Sequence, residues 1–423
     1  MEFKKIFLRN GLRVLFVPRS DIQTMTILIL ARVGSKHESK KENGISHFLE
    51  HMCFKGTKKR PNPLLVVEPL DEIGAVYNAF TSQDFTGYWI KADSLHSDFI
   101  LEMAADIFLN SIFDPKEIEK EKKVIEEEIN MIYDNPRQYV EDLWFKLLYG
   151  DQPAGWPITG TKETIKNINR ELLFKYKRKN YTASNILICL AGNFSERKSL
   201  SLIKNYFSYV KKGREQKLIL VKEKQNSPQI LQEKRKTDQT HLILGFRAIP
   251  LLDERRYALD LLAKILGGMM SSRLFLKIRI EKGLAYYISA GTTLSPENGS
   301  LEVSAGLRNE AFLEGIDLIL KEIKKILKEG IERRELVKAK ENAIGSLKIF
   351  LETSNNQASF YSFQELLEKK IEKKEKIIEK IEKVTEKDII DLAREIFKPE
   401  KLNLAFVGPG VEKRKIEKIF KNF

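Results

Sequence analysis

The stretch GISHFLEHMCFKGT, residues 44–57, contains two histidines and a glutamate within five positions. The chain has only five histidines among its 423 residues, and His47 and His51 lie four residues apart. In a helix, residues at this spacing share one face, so both imidazoles could bind one zinc ion. Glu50 directly precedes His51, where its carboxylate could act as a general base on a water molecule. The order H-x-x-E-H thus predicts a zinc-dependent hydrolytic site, unless the two histidines share an apolar helix by chance.

A catalytic zinc ion usually has three protein ligands, and a carboxylate is the natural third. Residues 114–136, DPKEIEKEKKVIEEEINMIYDNP, are predicted to form a helix bounded by Asp and Pro at both ends. Glu121 and Glu128 join its apolar stripe, whereas Glu126 and Glu127 point more towards solvent. Glu128 is therefore the best placed of 126–128, although most carboxylates in such a charged chain only interact with solvent. The predicted buried stripe consists of Val124, Ile125, Ile129 and Ile132.

Two pairs of segments recur at nearly one offset along the chain. TILILARVGS (26–35) resembles HLILGFRAIP (241–250), which follows it by 215 residues. Residues 168–193 resemble residues 384–410 at an offset of 216. Each of the longer segments has a helix start, an amphipathic helix, an aromatic residue, a polar turn, an apolar strand and a glycine. This repetition predicts a duplicated chain with two similar α/β halves. The predicted helix N-caps are Asn169 and Thr385.

The duplication predicts three segments and also tests the histidine motif. We expect a zinc-binding domain at 1–210, a linker at 211–225 and a homologous domain without metal ligands at 226–423. Shifting the motif by 215 positions replaces its three polar residues with apolar ones in the second half. Because a fold of this kind does not need polar groups there, and burying them unpaired would cost a few kcal/mol each, they are better explained as a site. The apolar counterparts are Leu262, Ile265 and Leu266.

The composition excludes several other classes of function. The net charge is +14, but 31% of the residues are charged and the two signs are interleaved, which is typical of solvated helix faces. No recognition motif accompanies the charge, so we expect no nucleic-acid partner. No run of eighteen apolar residues occurs, so we expect no membrane association, and the N-terminal residues predict a strand rather than a signal peptide. Cys53 and Cys189 lie in apolar runs, which favours buried thiols and a cytoplasmic location.

The motifs together resemble a known family. GISHFLEHMCFKGT, with Glu128 in EKEKKVIEEEI 77 residues after His51, is similar to the pitrilysin/insulinase family of inverted-zincin metallopeptidases. The chain length resembles the mitochondrial processing peptidase subfamily and its bacterial relatives. DEIGAVYNAFTSQDFTGYW (71–89) resembles the family's substrate-binding hairpin. LGGMMSSRLFLKIRIEKGLAYYISA (266–290) resembles its second-half segment that carries an arginine and a tyrosine.

The resemblance implies a role for each matching residue. It implies one zinc ion per chain, bound by His47, His51 and Glu128, with Glu50 as the base. It further implies that Glu121 supports the site and that Arg279 and Tyr286 contact the substrate and the tetrahedral intermediate. The implied substrate-binding edge strand comprises Asn78, Ala79, Phe80 and Thr81.

The resemblance also implies a fold and a function. We expect an α+β protein whose two homologous halves each contain a largely antiparallel sheet packed with helices, and together enclose a chamber. We expect a zinc-dependent endopeptidase that hydrolyses peptides or unfolded polypeptide segments, as a homodimer or as a heterodimer with a related subunit. The alternative is a non-catalytic partner or processing subunit of a peptidase complex.

Overall fold

The structure is a computed structural model that describes residues 3–217 and 219–423. The chain forms two compact units, and neither is continuous in sequence. Unit 1 comprises Met1–Asn130, Trp156–Ile219 and Lys348–Lys374. Unit 2 comprises Met131–Gly155, Leu220–Leu347 and Glu375–Phe423. Each unit therefore includes a segment from the opposite half of the sequence. The predicted domain boundaries stay predictions.

The strands form one sheet in each unit. In the described residues of unit 1 the order is β1-β2-β6-β3-β5-β4, and in those of unit 2 it is β7-β11-β8-β10-β9. All neighbouring strands in these sheets are antiparallel except β2 with β6 and β7 with β11. The predicted α+β class with two largely antiparallel sheets is thus confirmed. The strands are β1 (Lys4–Phe7), β2 (Arg13–Pro18), β3 (Thr24–Ala31), β4 (Val76–Thr81), β5 (Thr86–Asp93), β6 (Ile186–Gly192), β7 (Gln229–Lys234), β8 (Gln239–Ala248), β9 (Ala285–Leu294), β10 (Gly299–Arg308) and β11 (Leu402–Gly408).

The helices cover the faces of both sheets. No described helix combines the length and the hydropathy that a bilayer crossing requires. The helices are α1 (Ile45–Met52), α2 (Pro63–Asp71), α3 (Ser97–Asn110), α4 (Pro115–Asp134), α5 (Pro136–Tyr149), α6 (Lys162–Lys166), α7 (Arg170–Asn180), α8 (Glu196–Phe207), α9 (Arg256–Leu266), α10 (Phe312–Glu329), α11 (Arg333–Phe350), α12 (Ser354–Phe363), α13 (Lys374–Lys383), α14 (Glu386–Ile396) and α15 (Lys413–Lys421).

The first sheet is buried on both faces because its central strands are apolar at nearly every position. Successive side chains of a strand point to opposite faces. Ile27 and Ile29 of β3 therefore belong to the cluster that contains the apolar residues of α1 and α3. Leu28 and Leu30 belong to the opposite cluster, which contains Tyr361 of α12. Hence α12, which follows most of unit 2 in sequence, completes the core of unit 1.

The second sheet shows the reciprocal arrangement. Helix α5 comes from the first half of the sequence but belongs to unit 2 and packs on β8 and β11. Trp144 of α5 is fully buried, and it lies in one cluster with Ile243 and Val407 of the sheet. Its indole N–H donates to the Glu302 carboxylate at 2.8 Å. The two units thus exchange one covering helix each.

The predicted repeat is visible in the element boundaries. Helix α7 and strand β6 begin and end 216 residues before α14 and β11, at all four boundaries. Both predicted N-caps are confirmed, since the Asn169 side chain accepts from the Leu172 amide and Thr385 accepts from the Asp388 amide. The two segments have similar N-caps and similar hydrophobic periodicity, and they therefore form the same helix and strand. The apolar residues predicted to replace the motif lie in α9 and are buried: Leu262, Ile265 and Leu266.

Candidate metal centre

Helix α1, which carries the histidine motif, has a first turn held by a loop residue. Gly44 precedes the helix at φ +92°, and a Cβ there would lie 2.6 Å from the Thr159 carbonyl oxygen, so only glycine fits. The buried Glu38 carboxylate accepts from the Gly44 and Ser46 amides, both at 2.8 Å, and from Asn43 Nδ2 at 3.1 Å. These bonds satisfy backbone donors that a helix start leaves free. Burial raises the pKa of Glu38 to about 7, against the opposing effect of the two backbone donors.

Three side chains converge beside α1 in a manner that fits zinc. His47 Nε2 lies 3.2 Å from His51 Nε2 and 3.5 Å from Glu128 Oε2, and His51 Nε2 lies 3.8 Å from the same oxygen. Their potential ligand atoms all lie within 4.8 Å of one another. A tetrahedral ion with ligands about 2.0–2.1 Å away separates its ligand atoms by about 3.4 Å. The observed separations are close to this value, so the two imidazoles and the carboxylate can share one ion.

Glu121 fixes the orientation of the His51 ring. Its Oε1 lies 2.8 Å from His51 Nδ1, and its Oε2 lies 2.8 Å from Lys55 Nζ. A carboxylate on Nδ1 directs Nε2 of a histidine towards a metal and raises its basicity. Burial alone would lower the pKa of His51, but the bond to Glu121 and the surrounding carboxylates raise it overall. Burial acts to raise the pKa of Glu121, yet its bonds to His51 and Lys55 lower it overall.

His47 has a different environment from His51. Burial, with a smaller effect from nearby His51, lowers the pKa of His47 to about 3. The ring is therefore neutral at physiological pH, which is the form that binds metals. Its Nδ1 is buried and has no hydrogen-bond partner among the described residues. Burial also raises the pKa of Glu128, against a smaller opposing effect from His51.

Glu50 lies next to the cluster, and among the described residues its carboxylate accepts one hydrogen bond. Thr81 Oγ1 donates to Glu50 Oε2 at 2.6 Å. The residue is 9% exposed, and burial raises the pKa of its carboxyl group although the Thr81 bond opposes this. A base with a raised pKa accepts a proton more readily near neutral pH. The position and environment of Glu50 therefore suit proton transfer.

The predicted edge strand is β4, which lies beside α1 at the end of the first sheet. Alternation along the strand places Ala79 and Thr81 on the side of α1. Asn78 is exposed, and its Oδ1 accepts from the Ala79 amide at 2.8 Å. Phe80 points to the other face, where its ring lies 6.3 Å from that of Phe363 in α12. Only Thr81 of these four residues bonds to the base.

The remaining two predicted residues lie in unit 2. Arg279 belongs to a π-helical segment, Phe275–Glu281, and its guanidinium lies 4.9 Å from the centre of the Phe275 ring. Tyr286 lies in the edge strand β9 and is 75% exposed. Such exposure is compatible with a binding role, and their contacts with substrate stay predictions.

The prediction for α4 was partly wrong. Val124 was expected to be buried, but it is 49% exposed, whereas Glu121 is 2% exposed. The Glu121 carboxylate can be buried because it pairs with His51 and Lys55. The rotation of α4 that directs Glu121 inward directs Val124 towards solvent. Glu127 is exposed, as expected, and Glu128 is the member of its triplet that reaches the histidines.

Two residues of the centre were not identified from the sequence. Glu38 caps α1 from a loop, and Lys55 pairs with Glu121. A signal for Glu38 did exist, because α1 begins after a glycine and so has no side chain at its own N-cap. No comparable signal exists for Lys55, which is one of many lysines.

Two family models and several named proteins are similar to this chain. Residues 13–162 match the family model described as Insulinase (Peptidase family M16), and residues 167–343 match that described as Peptidase M16 inactive domain. A Bacillus subtilis protein named "Uncharacterized zinc protease YmxG" is 36% identical over 407 residues, which cover 96% of this chain and 98% of that protein. A Rickettsia felis protein named "Uncharacterized zinc protease" is 36% identical over 79% of this chain and 80% of its own.

A solved structure extends the similarity to the fold. The crystal structure of a protease from Helicobacter pylori superimposes with a TM-score of 0.88 at 25% sequence identity, and the match covers 96% of this chain and 99% of that one. The similarity thus extends over nearly the whole length of each chain. From the matches of both halves and the extent of the similarity to zinc proteases, this chain belongs to the insulinase family of peptidases, M16.

Proposed function

We propose that this protein is a zinc-dependent endopeptidase that hydrolyses peptides or unfolded polypeptide segments. The observation that carries the proposal is the convergence of His47, His51 and Glu128, with all potential ligand atoms within 4.8 Å, beside the buried carboxylate of Glu50. These are the residue types of a catalytic zinc site, in which three protein ligands leave one position open.

Hydrolysis requires metal binding and proton transfer, and different side chains provide each. His47, His51 and Glu128 would hold the zinc ion, which when bound supplies a Lewis acid for the scissile carbonyl and the attacking water. Glu50 takes a proton from the water as the new carbon–oxygen bond forms. It then gives this proton to the leaving amine nitrogen as the carbon–nitrogen bond breaks. Glu121 keeps the His51 ring in its binding orientation throughout.

Strand β4 is the proposed site of substrate binding. It is the last strand of its sheet in the described residues, so one of its edges has no strand neighbour there. An extended peptide can add to such an edge through main-chain hydrogen bonds, which tolerate varied side chains. Asn78 and Ala79 would pair with the peptide backbone, and Arg279 and Tyr286 would contact the substrate and the developing oxyanion. An enclosed chamber, a dimer and a cytoplasmic location remain predictions that accompany this proposal.

The alternative function is that of a non-catalytic partner subunit. A subunit that does not catalyse hydrolysis does not require metal ligands or a general base. This chain retains all three ligand types in binding geometry and a buried carboxylate next to them. These features favour the catalytic function.

The test combines metal analysis with peptide cleavage. Purified protein should bind about one zinc per chain, because the described residues contain one group of three side chains that could hold it. It should cleave a mixed peptide library, and a chelator should abolish cleavage. Glu50→Gln should keep the zinc and lose most turnover, since the amide retains the shape but not the basicity. Cleavage by the Glu50→Gln variant at the wild-type rate, or full zinc retention by a His47→Ala/His51→Ala double variant, would disprove the proposal.

A further inference from the structure

We infer that the Thr81 hydroxyl positions the general base: it holds one oxygen of the Glu50 carboxylate so that the other oxygen faces the attacking water. The inference deepens the proposed function and rests on it. It gives Thr81 a role that the resemblance did not imply, since there the residue belongs only to a strand that pairs with substrate backbone. Thr81 is thus a positioning residue, which acts through Glu50.

The contact between Thr81 and Glu50 is short. Thr81 Oγ1 lies 2.6 Å from Glu50 Oε2, a distance typical of a hydroxyl donating to a charged carboxylate. No other described residue donates a hydrogen bond to the Glu50 side chain. Without this bond the carboxylate could rotate about its terminal torsion, which is broad for glutamate. With it, Oε2 is occupied and Oε1 is left available.

The position of Thr81 is itself fixed by the turn that follows it. The Ser82 amide donates to the Phe85 carbonyl at 2.8 Å, which closes the hairpin of β4 and β5. The Ser82 carbonyl in turn accepts from the Ser35 amide at 3.1 Å. A Cβ at Gly34 would lie 2.2 Å from that carbonyl oxygen, so the backbone of the loop approaches the turn as closely as a glycine permits.

The same loop also holds the helix that carries Glu50. Four residues after Gly34 comes Glu38, which accepts from the Gly44 and Ser46 amides at the start of α1. The loop therefore fixes the strand that supplies the donor and the helix that supplies the acceptor. The Thr81–Glu50 bond closes this ring of contacts, which lies entirely in unit 1. Such prior ordering is what a base requires if it is not to reorganise during the reaction.

The test compares two substitutions at Thr81 with a matched control. Thr81→Val keeps the branched shape and strand preference but removes the hydroxyl, whereas Thr81→Ser keeps the hydroxyl. The control is Thr292→Val in unit 2, because Thr292 Oγ1 also donates to a helix carboxylate, Asp260 Oδ1, at 2.7 Å. This control variant measures the effect of removing such a bond at a position that is distant in sequence from every proposed metal ligand.

Thr81→Val should lower kcat about 10- to 100-fold, the loss expected for one hydrogen bond to a charged group. Its KM should stay within about twofold, because the main chain of β4 is unchanged. Zinc content should equal that of wild type, Thr81→Ser should recover most of the turnover, and Thr292→Val should match wild type. A kcat for Thr81→Val within about twofold of wild type, or an equal loss in Thr292→Val, would overturn the inference.

A binding measurement separates this inference from the proposed function. The probe is a peptide hydroxamate, a zinc ligand whose hydroxyl can give its proton to the base. Its affinity for the zinc-loaded protein, measured by calorimetry, should fall in Glu50→Gln and in Thr81→Val but not in Thr81→Ser. This binding measurement does not depend on turnover. If the wild-type protein cleaves no peptide, the proposed function is wrong, but the positioning role of Thr81 is still tested by binding. Unchanged hydroxamate affinity in Thr81→Val would reject the positioning role.

Discussion

Glu127 and Glu128 are adjacent on α4 and carry the same carboxylate, but their surroundings differ. Glu127 is exposed, and its Oε2 accepts only weakly from Asn130 Nδ2 at 3.4 Å. Glu128 lies 3.5 Å from His47 and is the third member of the cluster. Chemistry at this scale is therefore set by the direction in which a helix points each side chain.

We expect Glu128→Gln to weaken zinc binding severely while Glu127→Gln leaves it unchanged. Loss of a ligand should exceed the roughly 10- to 100-fold loss of affinity that follows removal of a hydrogen bond to a ligand. Competition with a chromogenic chelator measures the affinity of each variant. Equal zinc affinity in the two variants would mean that Glu128 is not a ligand.

The Tyr286 hydroxyl can be tested without disturbing the fold. The residue is 75% exposed, so Tyr286→Phe should not change stability. If the hydroxyl stabilises the oxyanion, turnover should fall on the order of 100-fold while zinc content stays normal. Steady-state kinetics on a library-derived peptide measures this. Wild-type kcat in a folded, zinc-loaded variant would show that the inferred role of Tyr286 is wrong.

At the scale of elements, the start of α1 depends on a carboxyl group that burial makes unusually basic. The pKa of Glu38 is raised from 4.5 to about 7, chiefly by burial. Between these values the folded protein binds more protons at this site than the unfolded chain does. Stability must therefore decrease as pH rises through this range, because ionising the buried group opposes folding.

We expect this decrease to disappear in Glu38→Gln, whose amide does not titrate. Relative to that variant, wild type should lose about 2 to 3 kcal/mol of unfolding free energy between pH 5 and pH 8. Urea unfolding at both values measures the difference. Glu127→Gln is the control and should follow wild type. A constant difference between wild type and Glu38→Gln across this range would contradict the prediction.

The elements also show what the sequence could predict. Helix α7 and strand β6 match α14 and β11 at an offset of 216 because caps, periodicity and turns are encoded locally. The H-x-x-E-H spacing is likewise local, and so is the helical periodicity that turns Glu128 rather than Glu127 inward. That α4 lies against α1 followed only from the resemblance, because the pairing of two helices distant in sequence is not encoded locally. The glycine at the N-cap of α1 signals that an acceptor is needed there, but the sequence does not identify Glu38 as that acceptor, because Glu38 comes from the preceding loop. The sheets on which α5 and α12 pack could not be predicted either. An apolar stripe predicts that a helix packs on a sheet, but it does not identify that sheet.

At the scale of the whole molecule, the exchanged helices predict reciprocal effects of two core substitutions. Tyr361 of α12 and Trp144 of α5 are both fully buried, in units 1 and 2 respectively. Replacing a large buried aromatic by alanine typically costs about 3–5 kcal/mol. Tyr361→Ala should therefore weaken the protection of β3 and β6 against hydrogen exchange, and Trp144→Ala that of β8 and β11. If Tyr361→Ala reduced the protection of β8 and β11 and left that of β3 and β6 unchanged, the assignment of α12 to unit 1 would be wrong.

The late position of α12 also has a consequence for synthesis on the ribosome. About 150 residues separate the end of α8 at Phe207 from the start of α12 at Ser354. At roughly 5–20 residues per second, their translation takes roughly 7 to 30 s. During that time the face of the first sheet that contains Leu28 and Leu30 has no α12 to cover it. The nascent chain thus exposes an apolar surface well after every residue of the metal centre has been translated, and we expect chaperones to bind the chain in this interval.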